Sequence, residues 1–534
     1  MAKSLAYQPL NDFGVNGLNT QDNPATLDQS YLTSANNVVL RESGRISFRK
    51  GFKQKVVPTG TAIGSMIEHF DQSVTNGVNK IFASYGTSIY RIDFTAPNAA
   101  FPSSGADVKH TVANSTGNWQ FVNFNSRLHC FHAGVVPQRY DGSLSSGSRW
   151  TAHATDPASI STLFDPSCGM GFYGRIWCGG VAEAKDVVYY SNLLDGDDWT
   201  GGDTGLIDLK KVWGDDEVVA LAPFYGKLVI FGKENIAIYN SPQTVSSLAL
   251  DEVIRGVGCI ARDSVQAIGD DLVFLSTTGL RSLARTTEKD KLPLTDLTVN
   301  IKDTIIRNIG QSTNVKSVYV ENEGIYIMTF TDKNITYIFD FKHITPQAAP
   351  RITTWSFESD REPSAMIYTE LYSGLLVGQK DGGIAGYEGY FDTDLAWVSS
   401  AASYTNSAFT ADISSIWIRV GDLAASILKK MILVLEGGSG ASLGLRWYKD
   451  FSMNSSSTTQ IALAPATTGT TALWGASTSL YGSAKYTPIY GLEEYKTALT
   501  GSAKHLKLNM SIVSNGYDVS VQDLAIISKQ GKIR

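Results

Sequence analysis

The chain has 534 residues, 43% of them hydrophobic and only 18% charged, and a net charge of −6. That length allows several domains and a large core, the charge excludes a globally basic nucleic-acid surface, and four cysteines are too few for a disulfide scaffold. With 49 Gly, 24 Tyr, 22 Phe and 10 Trp, the composition favours strands and turns. The opening residues, MAKSLAYQPLNDFG, contain no apolar signal region, so the expectation is a protein made in the cytoplasm. No run of 18 apolar residues occurs, so no membrane-spanning segment is expected.

Residues 1–58 lack strand-like alternation and read as an N-terminal arm. From residue 59 to 395 one grammar recurs. An apolar strand meets a turn of Asn, Gly, Asp or Glu, a second strand follows, then another turn and a third strand. The units begin near Ser65, Trp119, Cys168, Val218, Ser264, Lys316 and Ser364. Equivalent turn positions are Lys80, Arg127, Arg175, Lys227, Asp271, Gly324 and Gly374, spaced 44 to 53 residues apart. That period predicts a β-propeller of about seven blades, or six if one unit is an insertion. Fourth strands are expected in the intervals, for example at 205–209 and 351–357. A β-sandwich array is the alternative fold, and it would not demand near-constant spacing.

Residues 396–534 open with a Ser/Ala/Thr-rich stretch and continue as strands near Ser415, Lys430, Leu443, His505 and Tyr517. Alternation in HLKLNMSIV and YDVSVQ buries one face. This part reads as a β-sandwich-like platform domain, with loops across the polar segment 455–484.

The search for chemistry gives little. His129, Cys130 and His132 lie close in sequence, but alternation on a strand sends the two histidines to opposite sides. A metal is not expected from them, since zinc needs three or four converging ligands. Asp195, Asp197 and Asp198 resemble half of a calcium loop whose twelfth position is Leu206 rather than Glu. The stretch Ser191 to Trp199 faintly echoes a sialidase Asp-box with the wrong spacing. Gly226 to Glu234 has the wrong spacing for a P-loop. No catalytic residue, metal or cofactor is assigned.

Charge patterning says more. Asp195, Asp197, Asp198, Asp203, Asp208, Asp215, Asp216 and Glu217 face only Lys210 and Lys211 in their segment, which carries the whole chain's net charge. In the segment from Arg41 to Lys55 bases far outnumber the single acid, Glu42. The two segments read either as solvated loops or as opposite electrostatic faces for different partners.

The N-terminal segment Phe13 to Phe52 carries a pattern: Gly17, Leu18, Asn19 and Thr20, then Asp22 and Pro24, then Asn37, then Gly44 and Arg45, then Arg49 and Gly51. It resembles the opening of the tail nozzle proteins of short-tailed bacteriophages, also called tail tubular protein B or DNA stabilisation proteins. Segments Pro137 to Gly142, Tyr190 to Trp199 and Trp417 to Phe451 support the resemblance. The likeness implies a non-enzymatic virion subunit, a hexameric ring below the portal that contacts a tail adaptor protein and a tail fibre or spike protein. Such a ring forms the exit channel for double-stranded DNA, which passes without specific binding. On that basis Gly17, Leu18, Asn19, Thr20, Asp22, Pro24, Asn37, Arg45, Arg49 and Gly51 are the expected docking motif, and the eight acids the expected channel lining. A carbohydrate-binding or glycoside-cleaving propeller is the alternative function.

Overall fold

Two-residue hairpins of type I′, which suit right-twisted strands, need φ > 0 at both turn positions, which Gly and Asn accept most readily. Along this chain such turns fall between apolar strands, as at Asn125–Ser126, Tyr173–Gly174 and Tyr225–Gly226. The computed structural model describes residues 5–41, 45–73, 77–92, 108–284, 296–310, 314–372, 374–388, 394–398, 403–421, 424–437, 441–463, 492–514 and 519–530.

The chain is almost all β and contains a β-propeller with six four-stranded blades. Blade 1 is Ile63–Asp71, Val78–Tyr85, Ser88–Ile92 and Lys109–Thr111. Blade 2 is Gln120–Phe124, Arg127–His132, Val135–Tyr140 and Trp150–Ala152. Blade 3 is Cys168–Phe172, Arg175–Val181, Ala184–Tyr190 and Gly205–Asp208. Blade 4 is Val218–Phe224, Lys227–Gly232, Asn235–Asn240 and Ala249–Arg255. A three-stranded sheet follows in the same ring, Gln266–Ile268, Asp271–Ser276 and Gly279–Ser282, whose outer strand meets Asp296 in a single bridge. Blade 5 is Val315–Val320, Ile325–Phe330, Ile335–Ile344 and Pro350–Trp355. Blade 6 is Pro363–Thr369, Gly374–Gln379 and Ile384–Tyr387 with Phe52–Val56 from far upstream as its fourth strand, and Asp394–Val398 and Ser403–Ser407 extend its sheet across the boundary expected at 396. Blade 6 packs back against blade 1 and closes the ring. The repeat of seven units thus resolves into six complete blades and one incomplete sheet. The expected fourth strands at 205–209 and 351–357 are present.

Each wedge between neighbours is filled with apolar side chains. Phe82, Trp119 and Tyr140 join blades 1 and 2, Trp177, Trp213 and Ile230 join blades 3 and 4, and Phe231 and Phe274 carry the packing on to the three-stranded sheet. The four cysteines are buried free thiols in the propeller.

The expectation of a separate N-terminal arm does not hold. Gly17–Leu18 and Tyr31–Asn36 extend the outer edge of blade 5, and Phe409–Ser415, His505–Ser514, Ser442–Lys449 and Thr459–Ala462 continue that sheet. A second sheet runs Val38–Leu40, Ile46–Phe48, Val519–Gln530, Ser426–Gly437, Leu492–Ala498, with Leu5–Pro9 beside Val519–Gln530. The two sheets share one core, in which Leu10, Leu32, Phe48, Met431, Leu433, Trp447, Leu508 and Met510 meet Tyr326 and Phe330 of blade 5. The strands of residues 1–58 are short and pair only in part with one another, so their apolar side chains are buried by pairing with distant strands as well. In His505–Ser514, Leu506, Leu508, Met510 and Ile512 point into the core, as the alternation predicts. Most of the polar segment 455–484, and Gly44, lie outside the described residues.

Candidate functional site

The N-terminal motif builds a buried joint between platform and propeller. Gly17 has φ +74°, and a Cβ there would meet the Ile352 carbonyl oxygen at 2.7 Å, so only glycine fits this approach to blade 5. Leu18 is buried, and Thr20 N donates to the Asn300 carbonyl. Asn19 Oδ1 accepts from the backbone N–H of Gln21 and Asp22, and its Nδ2 donates to Asp22 Oδ2 at 2.9 Å. Pro24 offers its carbonyl to Trp417 N at 3.0 Å. Asn37, at φ 56°, accepts from Arg49 Nε and Ser356 N and donates to Ser356 Oγ and the Thr410 carbonyl. Arg49 is fully buried. It forms a bidentate pair with Asp394, both bonds 2.9 Å, and its guanidinium lies 3.8 Å from the Phe409 ring centroid. Gly51 is buried between Arg49 and the closing strand. Arg45 reaches Glu436 at 2.5 Å. These residues were expected as an exposed docking motif. Apart from the half-exposed Arg45 and the rim positions Thr20, Asp22 and Pro24, they are internal: Asn19, Asn37 and Arg49 satisfy backbone groups that the joint would otherwise bury unpaired, and Gly17, Leu18 and Gly51 pack into it. The basic segment around them is likewise no open face, since Lys50 pairs with Glu323 and Lys55 with Glu388.

The acidic segment does not form one surface. Asp195, Asp197, Asp198 and Asp203 lie in the connection between the third and fourth strands of blade 3. Asp208, Asp215, Asp216 and Glu217 lie at the opposite end of the strands, on the way to blade 4. Antiparallel order puts the two groups on opposite propeller faces, which corrects the expectation of a single channel-lining loop. Several of the acids have internal work. Asp198 accepts from the N–H of Thr200 and Gly201, and Asp216 from those of Lys233, Glu234 and Asn235. Glu217 pairs with Lys185 and Lys233. Asp203, Asp208 and Asp215 are exposed.

Asp197 is buried between blades 2 and 3, with His129 and His153. Sequence reading missed this cluster because His153 and Asp197 are far from His129 and carry no local signal. His129 Nδ1 is 3.0 Å from His153 Nε2, and Asp197 Oδ1 lies 3.4 Å from His153 Nε2 and 3.8 Å from His129 Nδ1. Burial pushes both imidazoles down to about 3, with His153 adding to the effect at His129 and Arg139 at His153. Among the described residues this is the one His/Cys/Asp/Glu group whose donor atoms converge. The surrounding hydrogen bonds decide against a metal reading. The Trp199 indole N–H, a donor only, points at His153 Nδ1 at 3.1 Å. Nδ1 therefore keeps its lone pair, and the proton sits on Nε2, facing His129 Nδ1. A metal at Nε2 would move that proton to Nδ1 and set two N–H groups against each other. Arg139 and Arg127 already take the Asp197 charge. The cluster is a neutral relay that seals one interblade wedge. His132 belongs to a different environment, its Nε2 accepting from Thr116 N at 2.9 Å.

The propeller axis is tied by side chains. Arg262, between blade 4 and the three-stranded sheet, donates to Asp263 at 2.7 Å, to the Ser167 carbonyl of the chain entering blade 3 at 2.7 Å, and to Asn118 next to blade 2 at 3.0 Å. Lys316 of blade 5 reaches Asn118 at 2.7 Å and Asp263 at 2.5 Å. Burial alone would raise the Asp263 carboxyl, but Arg262 and Lys316 hold it well below the usual range. Cavities of about 210 and 240 Å³ flank this network. No protein-family model matches the chain, and no curated protein matches it. Among the described residues no helix is long and apolar enough to cross a membrane.

Proposed function

We propose that the chain is a structural subunit of a short bacteriophage tail, a ring-forming nozzle protein below the portal and adaptor. The observation that carries this reading is the position of the N-terminal pattern. The residues behind the resemblance, above all Gly17, Asn19, Asn37 and Arg49, build the joint that fuses platform and propeller. A pattern fixed by such a joint marks an architecture rather than a reaction. The tied propeller axis fits the same reading, because a conduit for DNA then belongs between copies, not inside one propeller. In this role the chain works without catalytic residues, meets a tail adaptor and a fibre or spike protein, and lets duplex DNA pass without specific contacts.

The test is the composition of purified virions from a phage that encodes the chain. Quantitative mass spectrometry should find it at several copies per particle, and particles made without it should fail to keep their genome. A chain found in infected cells but absent from particles would contradict the proposal.

A further inference from the structure

Three large side chains stand on one propeller face in a backbone conformation that L-residues avoid. Tyr173 and Tyr225 occupy the first position of neighbouring hairpin turns at φ 46°, and Leu194 sits beside them at φ 59°. Asn suits that position best, and blade 2 uses it at Asn125. Blades 3 and 4 instead place tyrosine in the repeated runs Phe172-Tyr173-Gly174-Arg175 and Phe224-Tyr225-Gly226-Lys227. Strain is kept here for side chains that bury little: Tyr225 is 69% exposed, Leu194 63% and Tyr173 45%. With Leu193 they form an apolar ridge beside a cleft of about 200 Å³ lined by Phe224, Tyr225, Asp270 and Leu272. Asp195, Asp203 and Asp270 surround it; Asp195 and Asp203 are half-exposed or more at 4.0 Å from Arg127 and Arg175, and the nearby Lys227 is paired with Asp251.

A counterpart lies on the platform. On the sheet face turned away from the core, Leu5, Lys529 and Ile427 stand in one cross-strand row, and Tyr7, Ile527 and Lys430 in the next. Leu5, Tyr7 and Ile427 are exposed, and neither row contains an acid. The platform is joined to blades 5 and 6, which lie across the ring from blades 3 and 4. One end of the molecule is therefore apolar with an acidic rim, and the other apolar with basic neighbours.

We propose that the occupant of the blade 3–4 ridge is the Leu5/Tyr7/Ile427 face of a second copy of this chain. Two different, complementary patches make a heterologous contact, which propagates head to tail and closes into a ring when the rotation allows. The proposal rests on the ring reading above and names its interface. It also gives Asp195 and Asp203 a role in assembly rather than in lining a channel.

Charge reversal tests it on the full chain by mass photometry across a concentration series. Asp195→Lys with Asp203→Lys, and separately Lys430→Glu with Lys529→Glu, should each weaken self-association by on the order of tenfold or more while the chain still melts cooperatively. An equal mixture of the two variants should reassemble, since both contacts in an alternating ring are again complementary. Tyr225→Asn should raise the melting temperature and still weaken assembly, which separates contact from fold. Wild-type rings together with unimpaired rings of either reversed variant would overturn this interface and leave the ring reading standing. A wild-type chain that stays monomeric at every concentration would overturn both.

Discussion

Arg49 carries its charge into a fully buried site, where Asp394, Asn37 and the Lys50 and Ser356 carbonyls take all its donors. Replacing it by Ala leaves the Asp394 carboxylate buried without its partner. Breaking such a pair costs about 3–5 kcal/mol, so Arg49→Ala should lower the urea midpoint sharply, and an unchanged midpoint would contradict the joint described here. The His129–His153 relay predicts a pH effect with a definite sign. Both imidazoles titrate near 3 when folded and near 6.5 when unfolded, so the unfolded chain binds more protons between those values. Their contribution is complete above pH 6.5 and is lost as pH falls toward 3. Each group makes stability fall by up to about 1.4 kcal/mol per pH unit in that window. His69, His110 and His132 are lowered as well, mainly by burial, and act in the same direction. Urea titrations from pH 7 to 5 should show the slope, and His129→Gln with His153→Gln should reduce it without abolishing it.

The blades were legible in the sequence because each is made by local hairpins. Arg127, Arg175, Lys227, Asp271 and Gly374 each open a second strand, and Gly324 stands just before one, whereas Lys80 falls inside Val78–Tyr85. What could not be read was pairing across long separations. Phe52–Val56 completes a blade more than 300 residues away, and Gly17–Leu18 lies parallel to both Tyr31–Asn36 and Pro350–Trp355. A two-residue strand has no period, so the arm looked peripheral. The candidate site was legible only as a pattern: the sequence named Asn37 and Arg49, but their burial depends on Ser356, Asp394 and Phe409. Deleting residues 1–40 removes two strands from the extended blade 5 sheet and buried Leu10, Leu18 and Leu32 from the core. The truncated chain should lose its cooperative thermal transition and aggregate. A soluble truncation that melts cooperatively near the wild-type temperature would show that the arm is dispensable for folding.

At the scale of the molecule, a propeller tied across its own axis is joined through blades 5 and 6 to a two-sheet platform. Division of the acids between two faces removes the expectation that all eight, Asp197 and Asp216 among them, line one channel. Asp197 is sealed between blades, and Asp216 holds a turn. Among the described residues the outside keeps an apolar ridge on blades 3 and 4 and an apolar face on the platform, the two patches that the proposed ring would pair. The measurement that bears most directly on this account is the mass of the purified full-length chain in solution, read by multi-angle light scattering over a range of concentrations. The account predicts a discrete closed species, most simply six times the 57.8 kDa of one chain, that does not grow further as concentration rises. A monomer at all concentrations, with or without affinity for glycans, would contradict it.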